Sequence, residues 1–348
     1  MKLTGTWTAL TTPFRDDLAI DWEALEKNVE FQISEGIDGL LPVGTTGESP
    51  TLDYAEHSEV IDKVTKQINK RCGVLAGTGS NSTAETLEMT EHAVESGVDA
   101  VLMVDCYYNG PSSQELRDCY YAPVAEMYPD ITIVPYVIPG RTGTVLLPED
   151  LAILYSKFPN INTVKEATGD LERMAKTRNI AGSDFSIMSG DDDMTFDMLK
   201  RDDIKANGVI SVATNVVPGA VSKMVNSALA GDFESAANMR EALSPLFGIV
   251  TVKVDNERIL PDGSKVMVND RYRNPLPYKT LMAGLGMPVG GCRHPLGMMT
   301  AAGVEVVRNA AKKVWQNNPE ILAPIEKFYG VDIEARLNDD SVWESLTY

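Results

Sequence analysis

The chain has 348 residues, 43% hydrophobic and 23% charged, with a net charge of -19, so it has the make-up of an ordinary globular protein and the length for one large α/β barrel with an appendage or for two ordinary domains. The excess of Asp and Glu argues against wrapping nucleic acid or binding an anionic membrane surface, and it requires any anionic substrate to find a local basic anchor. Four cysteines without a CxxC pair and three histidines without an HxH or HExxH grouping argue against a zinc centre, a disulfide framework and a histidine-based hydrolase.

Met1 to Trp7 lack the apolar core of a signal peptide, and no run of about 18 apolar residues occurs. A soluble protein with reduced thiols in the cytoplasm is expected. From the N-terminus, short β-branched runs alternate with longer stretches of helical period. The strand candidates are Thr6–Thr11, Gly39–Val43, Gly73–Ala76, Ala100–Val104, Ile131–Val137, Ile161–Val164, Phe185–Met188 and Gly208–Val212, with amphipathic stretches such as Trp22–Glu35, Ala55–Asn69 and Ala84–Ser96 between them. Eight such units in about 230 residues fit a (β/α)8 TIM barrel better than an open doubly wound sheet. Pro218 and Gly219 open the last barrel helix, and Gly231 with Asp232 end it. The barrel is therefore assigned to residues 1–231 and a helical appendage to 232–348. Within the appendage, Glu257–Leu260 and Lys265–Val268 flank Pro261-Asp262-Gly263-Ser264, the pattern of an inserted β-hairpin. The tail beyond Val314 either wraps the barrel or a neighbour, or frays.

In a barrel of this type reactive groups sit on the loops after the strands. Lys165 falls just past the sixth strand candidate, ahead of Glu166-Ala167-Thr168-Gly169. An amine with a reference pKa of about 10.4 becomes a nucleophile for a ketone only where partial desolvation removes its proton; the other reading is a strand-end lysine that reaches water. After the second strand, Gly44-Thr45-Thr46-Gly47-Glu48-Ser49 offers backbone N–H groups and two hydroxyls that suit a carboxylate, or equally a capping turn. Tyr107-Tyr108 follow the fourth strand and Tyr136 lies on the fifth. A phenol relays a proton only with a hydrogen-bonded helper, for which Thr45 is the nearest small hydroxyl in kind; packing is the alternative. Arg141, between Gly140 and Thr142-Gly143, supplies the basic anchor demanded by the acidic composition. Gly77-Thr78-Gly79-Ser80-Asn81-Ser82 imitates a dinucleotide fingerprint but has Ser82 at the third glycine position. Asp191-Asp192-Asp193 reads as an acidic first helical turn rather than as a cation site.

Gly44-Thr45-Thr46-Gly47-Glu48, Tyr107-Tyr108-Asn109, Tyr136 with Pro139-Gly140-Arg141-Thr142-Gly143, Lys165-Glu166-Ala167-Thr168-Gly169, Ser189-Gly190-Asp191-Asp192 and Gly208-Val209-Ile210-Ser211 occur in that order. Together they resemble the dihydrodipicolinate synthase branch of the pyruvate-imine aldolases and lyases, a family that includes N-acetylneuraminate lyase. The resemblance covers nearly the whole barrel. It implies that Lys165 forms an imine with pyruvate and that the enamine adds to L-aspartate 4-semialdehyde, giving 4-hydroxy-tetrahydrodipicolinate for lysine and diaminopimelate biosynthesis without a metal or other cofactor.

By the same resemblance Thr45, Tyr136 and Tyr108 form a proton relay, Thr46 and nearby N–H groups hold the pyruvate carboxylate, and Arg141 holds that of the semialdehyde. Gly190 lines the imine pocket, and Ile210 lines it through its backbone. Tyr108 crosses to a partner subunit, usually within a homotetramer that is a dimer of dimers. Ser49, Pro50, Tyr54, His57, Asn81, Glu85 and Tyr107 match the pocket at which lysine inhibits regulated members, with Glu85 facing an ammonium group. Three features depart from the family pattern: Val137 where Asn is common, Cys106 where Pro is frequent, and the hairpin with its long tail. They bear on the aldehyde, the assembly and the regulation rather than on the imine. Two other functions compete: a pyruvate-dependent aldolase acting on a sugar-acid or aromatic aldehyde, and a non-catalytic sensor of keto acids, against which the complete set Thr45, Tyr108, Tyr136, Arg141 and Lys165 argues, since a sensor needs the anchor but not the relay.

Overall fold

A computed structural model describes residues 1–348. Eight parallel strands, β1 (Gly5–Ala9), β2 (Gly39–Leu41), β3 (Gly73–Gly77), β4 (Ala100–Val104), β5 (Thr132–Val137), β6 (Thr163–Glu166), β7 (Ser186–Ser189) and β8 (Gly208–Ser211), follow one another round a closed barrel. The ring closes where Trp7 of β1 pairs with Gly39 of β2 on one side and with Ile210 of β8 on the other. The Trp7 indole occupies space left by missing side chains: a Cβ at Gly39 would lie 2.2 Å from its ring and one at Gly73 2.4 Å. Filling the interior with side chains in this way makes the barrel a packed core rather than a pore.

Every expected strand is present, with shifted ends. β1 stops at Ala9 and β2 at Leu41, each two residues short of the expected end, because the chain turns at once into the mouth loops; Val43 takes φ +49°. β6 starts later and runs further than its apolar run, because Lys165 and Glu166 pair in register with Met188 and Ser189 of β7. Lys165 therefore belongs to the strand itself.

The last barrel helix spans Pro218–Leu229, and the appendage begins with the helix Phe233–Phe247. The hairpin is much longer than its turn signal indicated: β9 (Thr251–Ile259) and β10 (Lys265–Arg273) pair antiparallel along their whole length. Val252, Val254, Val266, Val268 and Tyr272 alternate along one face, the period-2 pattern of a half-covered ribbon. The Tyr272 ring rests over Gly303, where a Cβ would approach it to 3.2 Å, in the helix Ala301–Asn317.

The tail folds back on its own chain. Phe328 and Tyr329 stack 5.3 and 5.2 Å from Phe31 of the first barrel helix, and the Tyr329 hydroxyl donates to Asn28 Oδ1 at 2.8 Å. Further on, Trp343 is 2% exposed and lies against Gly284. No helix is long and apolar enough to cross a membrane.

Candidate active site

Lys165 and Tyr136 are register partners on β6 and β5, and the lysine Nζ lies 4.1 Å from the centroid of the tyrosine ring. The lysine side chain is 4% exposed. Burial draws its pKa down to about 8, against the pull of the Asp191 and Asp192 carboxylates, so a large share of the amine is neutral in mildly alkaline water. Gly190 leaves room for it: a Cβ there would stand 3.2 Å from Lys165 Cε and 2.7 Å from Ala167 Cβ. Beneath, the Arg173 guanidinium meets the buried Glu166 carboxylate at 3.3 Å and holds the end of β6.

These residues open on a cavity of about 190 Å³ at the C-terminal mouth, lined also by Thr45, Thr46, Arg141 and Asp191. Arg141 rides on the short helix Pro139–Thr142 directly after β5. Its Nη2 donates to the Asn274 carbonyl at 2.9 Å, and Asn274 Nδ2 donates to Thr46 Oγ1 at 2.9 Å. One residue from the appendage thus ties together the two carboxylate anchors expected from the sequence. Asn274 Oδ1 is buried without a hydrogen-bond partner.

Thr45 and Tyr136 face the same cavity without a hydrogen bond between them. Burial pushes the Tyr136 phenol well above its usual range, so it stays protonated. Tyr108 is elsewhere: it is 89% exposed and held at φ +78°, a strained conformation for a non-glycine residue. Within one chain the three-hydroxyl relay is therefore incomplete. Ile210 is fully buried in β8 and does not line the cavity; Val212, just past the end of the strand, does.

The acidic run at 191–193 does not form a first helical turn, because the helix begins only at Thr195. Asp192 Oδ2 accepts the N–H groups of Val212 and Ala213 at 3.1 and 3.0 Å and so secures the end of β8. Asp191 lines the cavity, its carboxyl raised to about 6 by burial and by its two acidic neighbours. Asp191, Asn274, Arg271 and Arg273 are cavity residues that the sequence reading left out. Only the acidic run carried a signal; the others come from the insertion, whose path over the mouth no local pattern encodes.

A separate cavity of about 360 Å³ gathers all seven residues matched to a regulatory pocket: Ser49, Pro50, Tyr54, His57, Asn81, Glu85 and Tyr107. Ser80 Oγ donates to Glu85 Oε2 at 2.5 Å, and this bond with that of Tyr54 holds the carboxyl below its ordinary range. His57 is driven down to about 4 by burial and by His92, leaving a neutral ring whose Nδ1 has no partner. The glycine-rich stretch at 77–82 supplies the wall of this cavity through Thr78, Gly79, Ser80 and Asn81.

The profile of the dihydrodipicolinate synthetase family matches residues 2–314. A protein of Geobacter sulfurreducens named 4-hydroxy-tetrahydrodipicolinate synthase is 40% identical over 296 residues, which are 85% of this chain and 93% of that protein. Among solved structures, the dihydrodipicolinate synthase of Acinetobacter baumannii, described as chloride-inhibited and complexed with pyruvate, superposes with a TM-score of 0.79 at 33% identity, covering 89% of this chain and 98% of the other. The enzyme from Cyanidioschyzon merolae with lysine bound gives the same TM-score at 32% identity, over 89% and 98% of the two chains. With its closed barrel, its buried lysine at the mouth and this agreement along nearly its whole length, the chain belongs to the dihydrodipicolinate synthetase family.

Proposed function

We propose that this chain condenses pyruvate with L-aspartate 4-semialdehyde through an imine on Lys165, yielding 4-hydroxy-tetrahydrodipicolinate for lysine and diaminopimelate biosynthesis. The observation that carries the reading is a buried amine of lowered pKa against Tyr136 in a small cavity that also holds Thr46 and Arg141. The neutral Nζ attacks C2 of pyruvate, and water leaves to give the imine. Loss of a C3 proton makes the enamine, whose C3 attacks the aldehyde carbon of the second substrate. The substrate's own amine then attacks C2, closing the ring and releasing Lys165.

Thr46 and nearby N–H groups take the pyruvate carboxylate, Arg141 that of the semialdehyde, and Thr45, Tyr136 and Tyr108 pass protons. The covalent imine makes a further cofactor unnecessary to this scheme. Exposure and strain at Tyr108 support its crossing to a partner subunit in a homotetramer, where it would complete the relay. Residues 1–231 carry the chemistry, and 232–348 set the mouth of the site. Four free thiols fit the reducing cytoplasm.

The pocket around Glu85 is proposed to take lysine as a feedback inhibitor, with Glu85 on an ammonium group. The gathering of the matched residues in one cavity supports this, as does the Cyanidioschyzon merolae relative with lysine bound. Borohydride reduction with pyruvate, followed by mass mapping, tests the imine: an adduct on Lys165 is expected, and its absence removes the reading. A panel of aldehydes then decides the acceptor, and preference for a sugar-acid or aromatic aldehyde would move the chain to another pyruvate aldolase.

A further inference from the structure

We infer that the inserted hairpin gives the barrel mouth a second anion site, in which Arg271 and Arg273 receive a substrate carboxylate before it passes to Arg141. This rests on the imine reading only for the identity of the substrate; the site itself stands on the arrangement of charges. Next to the catalytic cavity is an outer one of about 450 Å³, and the two share Thr45, Arg141, Arg271, Arg273 and Asn274. Anything passing from the outer space to Lys165 moves along a wall with three guanidinium groups.

The ribbon treats its cations differently along its length. In the outer half Arg258 pairs with Asp270 at 2.6 Å and Lys265 with Glu257 at 2.9 Å. In the inner half Lys253 and Arg271 stand directly opposite each other, and Arg273 follows on the same face. None of these three makes an ion pair, although Asp and Glu outnumber Lys and Arg by 50 to 31 in the chain. Like charges facing across a ladder are destabilising, so leaving them unmatched at the cavity end is a cost that a bound anion would offset. Arg273 is also fixed in place: its Nη1 donates to the Gly140 carbonyl at 3.1 Å, beside Arg141. Burial and the charge of Arg273 both draw the Arg141 pKa below its ordinary value, which places the two guanidiniums in one field.

The ligand class is a small carboxylate. Arg271 and Arg273 make no ion pair, and three guanidiniums against the one carboxylate of Asp191 in the inner cavity favour a planar anion that accepts paired N–H bonds, while the overall charge of -19 otherwise repels such a molecule. Because the two cavities share this wall, the site acts on capture and on acceptor affinity rather than on the imine.

Glutarate serves as the probe, titrated calorimetrically at low ionic strength into the native chain and into the R271Q/R273Q and R271K/R273K variants. About tenfold weaker binding is expected in the glutamine pair, with partial recovery in the lysine pair. In steady-state assays the glutamine pair should raise KM for the aldehyde and flatten the fall of kcat/KM with salt. At saturating pyruvate its borohydride adduct on Lys165 should form in native yield. Equal glutarate affinity in native and glutamine-pair proteins, or an unchanged salt slope, overturns the inference. Should the native chain form no Lys165 adduct while the glutarate difference persists, the imine reading fails and the anion site stands.

Discussion

Lys279 reaches through the core to Glu48, Nζ to Oε1 at 2.7 Å, with both side chains 1% exposed. The same Nζ donates to the Thr12 carbonyl at 3.0 Å, and Glu48 Oε2 accepts the Arg293 N–H at 2.9 Å. Glu48 itself is held at φ +58°, so the pair fixes a strained turn immediately after Thr45 and Thr46 and binds it to the helix Leu276–Leu285. Lys279→Met should therefore cost about 3–5 kcal/mol by stranding a buried carboxylate, while Glu48→Gln with Lys279→Met should recover part of that. Thermal and denaturant unfolding of the two variants would check it, and equal stabilities would show that the charge pairing is not what holds the loop.

Lys165 titrates at about 8 in the folded chain, so the reactive neutral amine gains population as pH rises. Below that point kcat/KM for pyruvate should climb about tenfold per pH unit and then level off. Asp191 raises the lysine pKa, and its own carboxyl, at about 6, is mostly ionised around pH 8, where the amine titrates. Asp191→Asn should therefore move the rise to lower pH. A pH profile unmoved by this change would mean that the carboxylate does not act on the amine.

Removal of the nucleophile and of the anchor should separate two steps. Lys165→Ala is expected to abolish the borohydride-trapped adduct, whereas Arg141→Ala should keep it and lose condensation with the semialdehyde by two orders of magnitude or so. Condensation retained in the arginine variant would place the second substrate elsewhere.

Lysine in the 360 Å³ cavity should depress turnover, and Glu85→Gln should require about tenfold more lysine for the same effect, since it removes one charge-assisted contact. Inhibition assays across lysine concentrations decide this, and full activity of the native chain at saturating lysine removes the regulatory site.

Tyr108→Phe should lower kcat while leaving thermal stability near native, because the side chain makes almost no contact in its own chain. Mixing Lys165→Ala and Tyr108→Phe subunits should then restore activity in mixed assemblies, as each supplies what the other lacks. No recovery on mixing would argue that the phenol serves its own subunit.

The barrel was legible because its strands are short apolar runs at regular intervals, and β4 matches its expected bounds from Ala100 to Val104. Where a strand ends in charge, the apolar signal stops early: Lys165 and Glu166 look like loop in the sequence, yet Arg173 and the register with β7 accommodate them inside β6. The acidic run at 191–193 misled for the converse reason, since local composition favours a helix start while the backbone of Val212 and Ala213, distant in sequence, claims Asp192. The turn at Pro261–Ser264 announced the hairpin, but the length of its strands depends on Val252, Val254 and Tyr272 finding cover in the appendage. Arg271, Arg273 and Asn274 escaped notice because only the folded path carries them to the mouth.

That path begins and ends at nearly one point. The Asn274 N–H donates to the Val250 carbonyl at 2.9 Å, so the ribbon leaves the appendage and rejoins it across a single backbone bond. An excursion closed in this way can be trimmed, extended or transplanted without redirecting the chain on either side, and loops of this kind tolerate such changes well. On the anion-site inference, part of the mouth's preference for its guest resides in this excursion, while Arg141 and Lys165 stay on the barrel.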